Sequence, residues 1–140
     1  MTTIDSMGGL VARILHGIEN ETLAVGFNEP FSRGSASGYV TVVEDAEEQD
    51  NLLLRVSLSI MKVPERGRTE LYRRLLELNQ GLQGRASFSV DPDNVIWLTA
   101  GRPLEDLDPG EVLDLVLWTA EKADGLDDLL ISEFGHEHKL

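Results

Sequence analysis

The chain has 140 residues, 41% of them hydrophobic, no cysteine, and a formal net charge of −13 at pH 7. That length suits one domain with one core, and the missing thiols exclude cysteine nucleophiles, iron–sulfur clusters, cysteine zinc sites and disulfide frameworks. The acidity speaks against nucleic acid or an anionic membrane surface as a partner, because both are held by cation contacts.

In chain order, Ile4, Met7, Leu10, Val11, Ile14, Leu15 and Ile18 recur at three- and four-residue spacing and predict an amphipathic helix, weakened at its start by Gly8 and Gly9. His16 sits beside that stripe and reads as a packed or half-exposed histidine rather than a general base. The opening residues lack a basic region followed by an apolar one, and no apolar run approaches bilayer length. With the absence of cysteine, this predicts a soluble, cytoplasmic protein. Residues 22–28 alternate through Leu23, Val25 and Phe27 as a half-buried strand does, and Pro30 with the Ser/Gly-rich segment 32–38 reads as a loop. That loop lacks G-x-G-x-x-G and a Walker lysine, and a strand rather than a helix follows it, so it is not a phosphate cradle.

A second strand is expected at 39–44. The third is the clearest, with Leu52, Leu54, Val56, Leu58 and Ile60 facing one way and Arg55, Ser57 and Ser59 the other. Pro64 ends it, and 65–80 returns to helical spacing through Leu71, Leu75, Leu76 and Leu78, stopping near Gly81. Residues 85–91 and 95–99 form a hairpin around Asp91-Pro92-Asp93-Asn94. Phe27, Tyr39, Phe88 and Trp97 fall on strands and are expected to fill the core.

The last helix, 108–130, opens on Asp108-Pro109-Gly110-Glu111: an N-cap acid, a proline at the first helical position and a capping-box glutamate. Between Val112 and Ala120 only Asp114 is strongly polar. Trp118 and its neighbours Leu113, Leu117 and Ala120 are therefore not all on the same side as Val112, Val116, Thr119 and Ala123, more apolar surface than one sheet can cover. A second subunit or a bound partner would supply the rest. Residues 132–140 read as a flexible tail. His136 and His138 in it lack a third ordered ligand, so no metal is expected.

The element order α-β-β-β-α-β-β-α predicts an α+β single domain over 1–140, with a five-stranded, mainly antiparallel sheet and helices packed mainly on one side. Charge is uneven. Glu44, Asp45, Glu47, Glu48 and Asp50 form an acidic block, while Lys62, Arg66, Arg68, Arg73 and Arg74 form a basic one. These are either solvated surface or a basic island that selects an acidic segment of a partner or of a second copy. No serine has a histidine and an aspartate in supporting roles, and the carboxylates lie in loops or on polar helix faces, so no catalytic or cofactor-binding residue is assigned.

The second half of the chain resembles a known family. The residues that carry the likeness are Leu71-Tyr72-Arg73-Arg74-Leu75-Leu76-Glu77-Leu78-Asn79, the hairpin Ala86-Ser87-Phe88-Ser89-Val90-Asp91 to Val95-Ile96-Trp97-Leu98, then Arg102-Pro103-Leu104-Glu105-Asp106-Leu107 and Ala123-Asp124-Gly125-Leu126-Asp127-Asp128-Leu129-Leu130. Together with the order of elements they are similar to the type III secretion chaperone-like fold and, within it, to YbjN-type (sensory transduction regulator) domains. The resemblance implies a non-enzymatic domain that binds an extended polypeptide segment, often as a homodimer. Phe27 and Phe31 near the first strand, with Leu113, Leu117 and Trp118 on the last helix, are the candidate partner or dimer contacts. The alternative is a regulatory domain that binds a small ligand between sheet and helices.

Overall fold

In the computed structural model of the chain, the described residues are 4–48, 51–105 and 107–135, with side-chain surroundings described from Gly8 onward. The elements are α1 (Ile4–Glu19), β1 (Asn28–Arg33), β2 (Ala36–Glu44), β3 (Leu52–Lys62), α2 (Arg68–Gly81), β4 (Ser87–Val90), β5 (Val95–Pro103) and α3 (Pro109–Phe134). The five strands form one antiparallel sheet in the order β1-β2-β3-β5-β4, the expected α+β architecture.

Alternation along each strand sorts the sheet into two faces. On one face, Phe31, Gly38, Leu58, Leu98 and Phe88 line up across the five strands, and Val40, Val56 and Ala100 form the next row. These residues are buried and receive the helices: α3 lies across β1, β2, β3 and β5, α1 covers β1, and α2 reaches β4. The opposite face carries Ser37, Tyr39 and Thr41 on β2, Arg55, Ser57 and Ser59 on β3, and Trp97 and Thr99 on β5, all exposed or half-buried. A bulge between Ser59 and Met61 turns both Ile60 and Met61 into the core.

Three expectations are corrected. The first strand is not 22–28 but Asn28–Arg33, and the Ser/Gly segment is a tight hairpin in which Gly34 (φ +59°) and Ser35 join Arg33 to Ala36. Pro30 is tolerated because β1 is an edge strand, where a missing N–H need break no ladder. Tyr39 and Trp97 are not core residues, since Val40 and Ile96 take the inward positions and the two-residue period sends their aromatic neighbours outward. Finally, α3 continues past Leu130 to Phe134, while residues 136–140, with both terminal histidines, lie outside the described residues.

Candidate partner-binding surfaces

The long helix α3 is built as its opening residues require. The Asp108 carboxylate accepts from the Glu111 N–H at 2.8 Å, and the Glu111 carboxylate accepts from the Asp108 N–H at 3.2 Å, a complete capping box. Val112, Leu115, Val116, Thr119, Ala120, Ala123, Leu130 and Ile131 form its buried stripe. The Thr119 hydroxyl donates back to the Leu115 carbonyl at 2.6 Å, which satisfies it inside the core. Ala120 belongs to this stripe, whereas Leu113 is 45% exposed and Leu117 and Trp118 are half-buried at its rim.

Trp118 obtains part of its cover from its own chain. The Arg85 guanidinium, on the segment joining α2 to β4, stands 3.9 Å from the ring centroid, and the Lys122 ammonium lies 5.9 Å away. Arg85 also donates to Asp114 at 2.8 Å, and Arg102 on β5 donates to Asp114 at 3.0 Å and to Glu111 at 3.4 Å. One side of the indole is thus roofed by a paired arginine. Beside it, Trp118, Glu121, Lys122, Gly125 and Leu126 line an open depression of about 340 Å³.

The two phenylalanines part company. Phe27 precedes β1, half-buried against the core, and its carbonyl accepts from the Val42 N–H at 3.2 Å. Phe31 is 1% exposed and fills the core opposite Gly38, so it offers no surface to a partner and leaves the candidate set. Its inward register follows from the true position of β1. Sequence reasoning passed over other apolar surface: Leu76 of α2 is 69% exposed, next to exposed Tyr72, and Val25 before β1 is 55% exposed. The helical spacing counts Leu76 in one stripe with Leu71, Leu75 and Leu78, whereas it stands in water beyond the buried Leu71 and Leu75.

The outer sheet face holds the second aromatic site. The Tyr39 and Trp97 rings lie 6.5 Å apart at 38°, and with Pro30, Val95 and neighbouring serines they line a shallow depression of about 550 Å³. The Trp97 indole N–H donates to Asp91 at 2.9 Å. Asp91 lies below its ordinary pKa of 3.8 because the Val95 N–H, the Trp97 indole and the Asp93 N–H all donate to its ionised form.

The polar clusters serve the scaffold. Ser35 donates from its N–H to Asp124 at 2.9 Å, and its hydroxyl oxygen lies 2.8 Å from both Asp124 and Asp127, docking the β1–β2 turn on α3. Within the basic block Arg73 faces Glu77 at 3.8 Å, Arg74 pairs with Glu133 at 3.0 Å, and Arg68 donates to the Pro64 carbonyl at 2.8 Å. His16 is exposed, its ring nitrogen 3.2 Å from the Asn20 amide. Among the described residues no group of three histidines or carboxylates is placed to hold a metal ion, and no helix is long and apolar enough to cross a membrane.

No protein-family model matches the chain, and no curated protein matches it. Among solved structures, a chain of the crystal structure of the ExsC–ExsE complex matches with a TM-score of 0.55 at 18% identity, over 92% of this chain and 97% of that one. At that identity the likeness shows the fold alone.

Proposed function

We propose that the chain is a non-enzymatic, polypeptide-binding domain that holds an extended segment of a partner protein and acts as a homodimer. The observation that carries this reading is the apolar rim of α3: Leu113 is 45% exposed beside half-buried Leu117 and Trp118, on a helix whose other side already fills the core. Side-chain pockets beside such a rim give selectivity, and main-chain pairing along a sheet edge gives affinity. The matched solved structure is of a complex between two proteins, which supports a protein partner. Leu76 and Tyr72 of α2 offer a second apolar surface for another copy of the chain. Within this reading the domain is either a secretion-type chaperone or a YbjN-type regulator working in the cytoplasm, the two differing in the partner held.

The alternative, a small-ligand regulator, needs an enclosed pocket between sheet and helices. The depressions at the surface are open, and that weighs against it. The test is co-purification from the native cell with identification of everything bound. A protein partner whose recovery falls with Leu113→Lys and Leu117→Lys supports the proposal. A bound metabolite without any protein would transfer the assignment to the alternative. Light scattering after size exclusion addresses the dimer, where a mass of one chain at micromolar concentration would remove it.

A further inference from the structure

At one end of the domain, an apolar cleft of about 520 Å³ opens between the end of α1 and the adjoining ends of β3 and β5. Its floor is made by Ile18, Leu23, Leu52 and Leu104, each half-buried and packed against the core. Gly17 lets this floor form, because a Cβ there would sit 2.6 Å from the Leu23 Cγ. The Leu104 N–H donates to the Leu52 carbonyl at 2.8 Å, which closes the bottom.

The rim has one sign of charge. Glu21 and Glu105 line the cleft, and among the described residues no lysine or arginine does. Asn51, also in the lining, accepts from the Asp45 N–H at 2.9 Å and donates to the Glu48 carbonyl at 2.9 Å, which fastens the acidic turn beside the opening. Several carboxylates elsewhere are matched to arginines: Glu29 to Arg13, Glu121 to Arg33, Glu133 to Arg74, and Asp114 to both Arg85 and Arg102. Among the described residues Glu21, Glu44, Asp45, Glu47, Glu48 and Glu105 have no such ion pair. In a chain of net charge −13, this end presents apolar surface framed by uncompensated negative charge.

We propose that this cleft docks an amphipathic basic segment of a partner polypeptide, with apolar side chains on the Ile18–Leu23–Leu52–Leu104 floor and lysine or arginine side chains against the acidic rim. The inference rests on the polypeptide-binding reading and names the chemistry of the segment held. Charge complementarity chooses the occupant: an acidic segment would be repelled by the same rim, and a purely polar one would leave the floor uncovered.

The test is fluorescence anisotropy with three labelled synthetic peptides of equal length, built from leucine and lysine, serine and lysine, or leucine and glutamate. Binding is expected for leucine–lysine, about tenfold weaker for serine–lysine, and none for leucine–glutamate. Glu105→Lys and Glu21→Lys, both surface changes, should together weaken leucine–lysine binding about tenfold, while Asp128→Lys, an exposed position on α3 that does not line the cleft, should leave it within about twofold. Leu23→Ser should match the loss seen with the serine–lysine peptide. Equal binding of the serine–lysine and leucine–lysine peptides, or an equal effect of Asp128→Lys, would overturn the inference by making the attraction one of bulk charge. If none of the peptides binds while a protein partner still depends on Leu113, this cleft is refuted and the polypeptide-binding reading stands.

Discussion

Replacing Arg85 by alanine isolates the contact that covers Trp118. The guanidinium 3.9 Å from the ring centroid belongs to a side chain that is 44% exposed. A cation–π contact so placed contributes about 0.5–1 kcal/mol. The Arg85–Asp114 pair adds roughly 0.2–1 kcal/mol, since solvent screens two half-exposed partners. Asp114 keeps Arg102 at 3.0 Å, so no charge is stranded by the substitution. The expected loss is therefore about 1–2 kcal/mol in urea unfolding, with a melting temperature lower by about 3–6 °C. The chain has two tryptophans, so a Trp97→Phe background leaves Trp118 as the sole reporter. In that background Arg85→Ala should red-shift the emission and raise quenching by acrylamide. A loss above about 3 kcal/mol would mean that Arg85 supports the core instead. Unchanged quenching would mean that the indole is covered by something else.

Other outcomes follow from single residues. Gly38→Ala should destabilise by about 2–3 kcal/mol or more, read by chemical denaturation, because the new Cβ would collide with the Ser57 carbonyl and lie 2.7 Å from the Leu58 Cα. Gly8→Ala, on α1 with nothing within 4 Å of its Cβ position, should instead stabilise by about 0.5–1 kcal/mol. Asp91 has a lowered folded-state pKa, so its contribution is present above its unfolded value and is lost as pH falls through the lowered folded one. Stability of Asp91→Asn should thus fall less steeply than that of the unaltered chain below about pH 4, and parallel acid limbs would contradict this.

Much of the architecture could be read from local pattern. The capping box at Asp108 and the alternation of β3 each depend on residues adjacent in the chain, and both place their elements correctly. Where local pattern failed, a tertiary fact decided. Leu23, Val25 and Phe27 alternate like a strand, but they form the turn after α1, where Leu23 seats against Gly17. The real β1 contains Pro30 and serine, acceptable at a sheet edge but indistinguishable from a loop by composition. Tyr39 and Trp97 were assigned inward as aromatics that fall on strands, whereas the inward positions of their strands go to Val40, Val42, Ile96 and Leu98.

The candidate site shows the same division. Excess apolar surface on α3 was visible in Leu113, Leu117 and Trp118, and Leu113 does remain exposed. The arginine over Trp118 comes from a distant segment and carries no local signal. Phe31 was misplaced together with its strand. The apolar cleft at Leu23, Leu52 and Leu104 draws on three separate segments, which no spacing rule connects.

The polypeptide-binding account is tested most directly by placing a photo-crosslinking amino acid at Leu113 and irradiating the protein in its native cell. Reproducible attachment of a distinct polypeptide at Leu113, absent when the same group replaces exposed Asp128 in the C-terminal part of α3, is the predicted result. Equal labelling at both positions, or none at Leu113, would contradict it.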